Sequence, residues 1–106
     1  MIRIVVPALA FMTLGLAAPL TAADGPSGEE VFKARCATCH RGGGNIIRKD
    51  KTLNRKDMEA NNIRSEEEIV KLIRTPGPGM PKLDEKALPD GEARAVARYI
   101  LETFNK

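Results

Sequence analysis

Two cysteines and one histidine form a compact cluster in this chain, in the run Cys-Ala-Thr-Cys-His at positions 36–40. Two thiols separated by two residues, with a histidine directly after the second, are the pattern that attaches a haem covalently. On a helical turn the two thiols can reach the two vinyl groups of one porphyrin as thioethers, while the histidine lies beneath the iron. The run therefore predicts one haem c bound through Cys36 and Cys39, with His40 as the proximal ligand of the iron.

Three other uses of such cysteines fit the sequence less well. A thioredoxin-type redox pair requires a βαβ setting, and no strand pattern flanks positions 36–40. A structural zinc site needs four ligands, whereas the chain has two cysteines and one histidine in total. A disulfide between Cys36 and Cys39 would close a very small loop, so it would remove little chain entropy and add little stability. Haem attachment is the interpretation that the composition favours.

The amino-terminal segment predicts export from the cytoplasm. Arg3 forms a short positive region, residues 4–20 are almost wholly apolar, and small residues follow at positions 21–23. We expect a signal peptide over residues 1–23, cleaved after Ala23 with Ala22 as the alternative site. Covalent haem attachment agrees with export, because such haem is assembled outside the cytoplasm.

Cleavage would leave one small domain, a monohaem cytochrome c domain over residues 24–106. A domain of this size has too little apolar material for a large core, and a covalent haem would supply the missing apolar centre. The net charge of +3 falls by one unit with the loss of Arg3, and two haem propionates would bring it near zero. Basic and acidic residues are interleaved along the chain, so we expect no nucleic-acid partner.

The first predicted helix leads into the haem motif. Ser27, with Glu30 three residues later, forms a capping box. We expect this helix to run from about Gly28 through positions 36–40, to end at Arg41, and to bury Val31 and Phe32. The glycines at positions 42–44 cannot continue it, and they either bring the backbone close to the porphyrin edge or form a flexible turn.

Three further helices are predicted in the rest of the chain. Asn54 begins a short helix, and Ser65 with Glu68 forms a second capping box before a helix that ends near Thr75. Asp90 is expected to cap the last helix. Its apolar residues recur at helical spacing, at Ala93, Val96, Ala97, Ile100, Leu101 and Phe104. The sequence therefore predicts an all-α fold of about four short helices around one haem.

A second axial ligand is needed by a low-spin haem that transfers electrons, and His40 is the only histidine. Methionine is the usual substitute, and outside the signal peptide only Met58 and Met80 remain. Met58 lies on a predicted helix among apolar residues, where methionine more often fills gaps in the core. Met80 lies in the proline- and glycine-rich run 76–81, which cannot form a regular helix or strand. We therefore predict Met80 as the second axial ligand, with Met58 as the alternative.

Several segments resemble the cytochrome c6 family, the photosynthetic members of the class I cytochromes c. They are residues 28–32, 36–45, 51–53 and 80–81. The resemblance implies a small all-α globule whose first and last helices cross near Phe32 and Tyr99. It also implies thioethers at Cys36 and Cys39 and axial ligation by His40 and Met80, the same positions that the residues indicate.

The resemblance further implies that the protein is an electron carrier rather than an enzyme. In that role a monomer would shuttle electrons in the thylakoid lumen, from the cytochrome b6f complex to photosystem I, through weak and transient contacts. In the bacterial periplasm the acceptor would instead be a terminal oxidase. A haem sensor or peroxidase-like protein with a labile Met80 is the alternative from another class, although a peroxidase usually needs a distal acid–base residue such as a second histidine.

The chain departs from this family in the helix and loop before Met80. Typical members carry a glutamine near the haem in that helix, whereas residues 71–75 contain none, and Leu83 stands where an aromatic residue is common. We expect the missing glutamine to lower the haem potential, because the groups around a haem tune its iron. The departures indicate a divergent, c6-like paralogue.

Overall fold

Five short α-helices make up the computed structural model, which describes residues 25–106 together with Val5 and Gly15. The predicted signal peptide and its cleavage site therefore lie outside the described residues. The helices are α1 Gly28–Arg35, α2 Ala37–His40, α3 Arg55–Ala60, α4 Glu66–Arg74 and α5 Asp90–Thr103, with a 3-10 turn at Arg41–Gly43. Residues 25–106 contain no strand, and the predicted all-α fold is confirmed. Over the described positions, none of these helices has the length and apolarity to cross a bilayer.

The helix starts predicted from local sequence are confirmed at three of the helices. The Ser27 hydroxyl accepts a hydrogen bond from the N–H of Glu30 at 3.2 Å, at the start of α1. The Asn54 side chain accepts from the first turn of α3 in the same way, and Ser65 accepts from Glu68 at the start of α4. These caps satisfy backbone donors that a helix cannot satisfy internally.

Two details of the predicted helices are wrong. The first helix does not continue through the haem motif: α1 ends at Arg35 with Cys36 as its C-cap, at φ −118° and ψ −34°, and a separate helix α2 begins at Ala37. Asp90 is not a cap, because Pro89 occupies the cap position of α5 and makes no side-chain hydrogen bond. The Asp90 carboxylate instead accepts a hydrogen bond from Arg74 at 2.7 Å, since a guanidinium is a stronger partner than a backbone N–H.

The core is centred on the crossing of α1 and α5. Phe32 of α1 lies 5.5 Å from the ring of Tyr99 and 5.1 Å from that of Phe104, measured between ring centroids. The helices approach so closely that a side-chain carbon at Gly28 would overlap the carbonyl group of Ala95. The crossing expected near Phe32 and Tyr99 is therefore present. The fully and nearly fully buried apolar residues of these two helices are Val31, Phe32, Ala93, Val96, Ala97 and Ile100.

The close contact at Gly28 predicts a stability difference between two helical glycines. Gly28→Ala should lower the free energy of unfolding by about 1–3 kcal/mol, because the added methyl group meets backbone that cannot turn away. Gly91 near the start of α5 has open space around it, so Gly91→Ala should stabilise the protein by about 0.5–1 kcal/mol. Chemical denaturation of the holoprotein variants measures both values. Equal effects of the two substitutions would contradict the close approach of α1 and α5.

Candidate haem site

All four residues that the sequence assigns to haem binding line one cavity of about 290 Å³. Cys36, Cys39 and His40 come from the region of α2, and Met80 comes from the long loop between α4 and α5. Most of the other lining is apolar, so filling the cavity with an apolar group would be favourable. The apolar side chains around it include Leu53, Met58, Ile63, Ile69, Leu72, Ile73, Leu83, Leu88 and Ile100.

Helix α2 brings the two cysteines together on a single turn. The N–H groups of Cys39 and His40 both donate to the carbonyl of Cys36, at 3.2 and 2.9 Å. Both thiols are free and half-buried, as attachment of a haem requires. Burial raises the pKa of the Cys36 thiol to about 11, and the neighbouring Arg35 guanidinium opposes this shift. A redox pair of the thioredoxin type needs a lowered thiol pKa, so this environment argues against that alternative.

His40 is held in the orientation and tautomer that a metal ligand needs. Its Nδ1 lies 2.8 Å from the carbonyl oxygen of Gly44. A carbonyl can only accept, so Nδ1 carries the proton and the lone pair of Nε2 is left for a metal ion. Hydrogen bonds of this kind fix the ring plane and raise the basicity of a ligating imidazole.

The glycine turn after His40 is a fixed structural element. Gly42 and Gly43 both have positive φ, of 63° and 82°. Gly43 is buried beneath Phe104, and a side-chain carbon at Gly43 would lie 2.7 Å from the Phe104 ring. The Gly43 carbonyl also accepts from the N–H of Leu53 at 2.7 Å. Of the two roles considered for residues 42–44, the flexible turn does not fit these contacts.

The two candidate methionine ligands differ in their surroundings, although both line the cavity. Met58 is 3% exposed, and its Sδ accepts a hydrogen bond from Nδ2 of Asn105 at 3.2 Å. Met80 is half-buried, and among the described residues it makes one backbone hydrogen bond, a long one of 3.5 Å from its N–H to the carbonyl of Gly77. The sulfur of Met58 is thus already engaged in the core, whereas Met80 lies on a loop with little structure of its own.

Two arginines that sequence reasoning did not assign to the site hold this loop. Arg74 donates to the carbonyls of Leu83 and Leu88, and Arg35 donates to the carbonyl of Ala87 at 2.8 Å. One sequence pattern indicates this role: each arginine lies in the last turn of a helix, Arg35 directly before the haem motif and Arg74 directly before the loop with Met80. The choice of acceptors could not be read from it.

Comparisons with known proteins agree with this arrangement. A family profile described as "Cytochrome C oxidase, cbb3-type, subunit III" matches residues 23–100. Cytochrome c6 of Cyanidioschyzon merolae is 40% identical over 85 residues, which cover 80% of each chain. The chain belongs to the cytochrome c6 family. The solved structure of cytochrome c6C from Synechococcus sp. PCC 7002 is 36% identical with a TM-score of 0.67, covering 71% of this chain and 90% of that one. OmcF, an outer-membrane cytochrome F from Geobacter sulfurreducens, is 41% identical with a TM-score of 0.72, covering 74% and 99%.

Membership of the cytochrome c6 family establishes the cofactor as one covalently bound haem c. The described residues fit this group: two free thiols lie one helical turn apart, an imidazole has its Nε2 available, and an apolar cavity adjoins all three. The chain is thus an electron-carrying c-type cytochrome, like its c6 relatives.

The contact between Gly43 and Phe104 predicts that alanine substitutions at Gly42 and Gly43 lower the free energy of unfolding by different amounts. Gly42→Ala adds a side chain at positive φ where no atom lies within 4 Å, so it should cost about 1–2 kcal/mol of stability from backbone strain alone. Gly43→Ala has comparable strain and must also displace the Phe104 ring, so its cost should be larger by about 1–3 kcal/mol. Thermal or chemical unfolding of the two holoproteins tests this difference. Equal costs would mean that Phe104 does not restrain the glycine turn.

Proposed function

We propose that this member of the cytochrome c6 family transfers single electrons through a haem attached at Cys36 and Cys39, with His40 and Met80 as axial ligands. The observation that carries the proposal is the meeting of these four side chains at one largely apolar cavity. The hydrogen bond from Nδ1 of His40 to Gly44 supports proximal ligation, because it leaves Nε2 available.

Met80 is the better second ligand on its surroundings. For Met58 to bind the iron, its sulfur would have to give up the hydrogen bond from Asn105. The side chain would also have to move within a tightly packed core. Met80 would need only an adjustment of its loop. A neutral thioether favours ferrous iron, so ligation by Met80 would raise the haem potential.

The haem supplies the reversible one-electron chemistry when it is bound. The residues of the chain orient the group, exclude water and close both axial positions. Ile69, Leu72 and Ile73 of α4 contribute apolar lining to the cavity. With His40 and Met80 both bound to its iron, the haem would have no open position for a substrate or gas, as expected of a carrier rather than a sensor or peroxidase.

For the partners, we propose that the protein accepts electrons from the cytochrome b6f complex and delivers them to photosystem I in the thylakoid lumen. The named cytochrome c6 relatives support this role. A second candidate is a respiratory carrier in the bacterial periplasm that donates to a terminal oxidase. The family profile named for an oxidase subunit and the similarity to OmcF favour this second role.

An optical redox titration distinguishes the two roles. The holoprotein would be purified after export in cells that attach haem to such motifs. A six-coordinate spectrum with a strongly positive midpoint potential would support transfer to photosystem I. A markedly lower midpoint potential with the same ligands would support the second role. It would also agree with the missing glutamine, because the apolar Leu72 lines the cavity from the helix in which typical family members carry one. The absence of a haem spectrum would overturn the whole proposal.

Matched leucine substitutions test which methionine is the ligand. Met80→Leu should lower the midpoint potential strongly and should let the ferrous protein bind carbon monoxide at neutral pH, because leucine has no sulfur to bind iron. Met58→Leu preserves the volume of a buried side chain, so it should cost less than about 1.5 kcal/mol of stability and leave the haem spectrum nearly unchanged. The reverse pattern would assign the ligand to Met58. Rapid binding of carbon monoxide by the unmodified protein would contradict a closed site.

A further inference from the structure

The part of the connection between α4 and α5 that bears Met80, residues 75–82, has few hydrogen bonds of its own among the described residues. Residues 84–88 differ, because the N–H groups of Lys86 and Ala87 donate to the Asp84 carboxylate and the N–H of Leu88 donates to the Asp84 carbonyl. We call residues 75–89, between α4 and α5, the ligand loop. It contains no helix, and three of its residues before Leu83 are prolines without a backbone N–H. Within residues 25–106, the one backbone hydrogen bond of Met80 is 3.5 Å long. The position of Met80 therefore depends on how the rest of the ligand loop is held.

The first firm anchor after Met80 is Leu83, three residues later. Its N–H donates to the carbonyl of Ile73 at 3.3 Å, and its carbonyl accepts from Nη1 of Arg74 at 3.1 Å. Both backbone polar groups of Leu83 are thus bound to the last turn of α4. The Ile73 carbonyl is one that a helix end leaves unpaired, so the contact also completes α4.

Arg74 joins three separate points of the chain. Besides Leu83, its Nη1 donates to the carbonyl of Leu88 at 2.7 Å, and its Nη2 donates to the Asp90 carboxylate at 2.7 Å. The side chain of Arg74 is only 18% exposed, whereas that of Asp90 is 66% exposed. A planar guanidinium can serve all three acceptors at once, which an ammonium group cannot do with the same geometry. Loss of Arg74 would remove a partner from two carbonyls, one of them on the buried Leu88.

We propose that Arg74 is a positioning residue that keeps Met80 on the haem iron by latching the ligand loop to α4 and α5. The inference rests on the axial ligation proposed above. If Met80 leaves the iron through a movement of the ligand loop that includes Leu83, the bonds of Leu83 to Ile73 and Arg74 must break. The Arg74 bonds therefore stabilise the loop position in which Met80 faces the cavity relative to an open position.

The chain offers a matched control in Arg98. Arg98 also joins α4 and α5, through a 3.5 Å ion pair with Glu66. Their side chains are 64% and 36% exposed, and neither takes part in the described hydrogen bonds of the ligand loop. Arg98→Gln removes the same charge and a contact between the same helices, but it leaves Leu83 and Leu88 bound. If the bonds from Arg74 to the ligand loop hold Met80 in place, Arg98→Gln must not release it.

Imidazole binding to the ferric holoprotein measures the opening of the loop. Imidazole can bind the iron only when Met80 has left, so its apparent affinity reports the population of the open form. Arg74→Gln should raise this affinity about tenfold and weaken the charge-transfer band of the methionine–iron bond. Arg98→Gln should leave both unchanged. Arg74→Lys retains the charge with fewer contacts, so it should lie between the native protein and Arg74→Gln, and it serves as the second variant if the glutamine protein does not accumulate.

The possible outcomes distinguish a failure of the proposed role of Arg74, the latch, from a failure of the proposed ligation by Met80. Unchanged imidazole affinity in Arg74→Gln or Arg74→Lys, even with a lower unfolding midpoint, would overturn the latch and assign Arg74 a purely structural role. An equal increase in Arg98→Gln would also overturn it, since any loosening of α4 against α5 would then suffice. Native protein that binds imidazole as readily as Met80→Leu would overturn the proposed ligation and, with it, the latch.

Discussion

The site depends on the close crossing of α1 and α5, which Gly28 makes possible by leaving no side-chain carbon between the helix and the Ala95 carbonyl. Packing at this distance sets the direction of α1, and α1 ends directly at Cys36. The same crossing gathers the rings of Phe32, Tyr99 and Phe104. A small domain has few other large apolar contacts, so much of its stability is concentrated here.

The crossing also determines the position of the haem motif. Phe104 follows the last residue of α5 and covers Gly43, so the end of α5 holds the turn that follows His40. The Gly44 carbonyl, next along the chain, orients the imidazole. A continuous set of contacts thus runs from the helix crossing to the His40 ring. The part of the site that contains His40 is therefore held by packing against the end of α5.

The half of the site that contains Met80 is built differently. The ligand loop is held by polar contacts through Arg35, Arg74 and the carbonyl of Ile73. Its own turn at Asp84 and the burial of Leu88 in the core add to these contacts. Met80 lines the cavity from a loop that is neither helix nor strand. The sulfur of Met58, in contrast, already accepts a hydrogen bond from Asn105 in the core. His40 is thus held by contacts around the helix crossing, whereas the position of Met80 depends on how firmly the ligand loop is held.

Local patterns in the sequence were enough to predict the haem motif, the all-α fold and the caps at Ser27, Asn54 and Ser65. Each of these depends on residues three or four apart, whose spacing can be read directly. The lining of one cavity by both Met80 and His40 agrees with the expected pair, although ligation itself remains a proposal.

Only the tertiary structure decided the break between α1 and α2 at Cys36, the burial of Gly43 under Phe104, and the acceptors of Arg74. Asp90 shows the reason. Its sequence position is that of a helix cap, but a guanidinium from 16 residues earlier in the chain binds its carboxylate. Contacts between residues far apart in the chain depend on how the helices pack, and no local pattern encodes which distant group will arrive. The sequence therefore determined the chemistry that the chain carries, whereas the packing of α1, α4 and α5 decided how that chemistry is held.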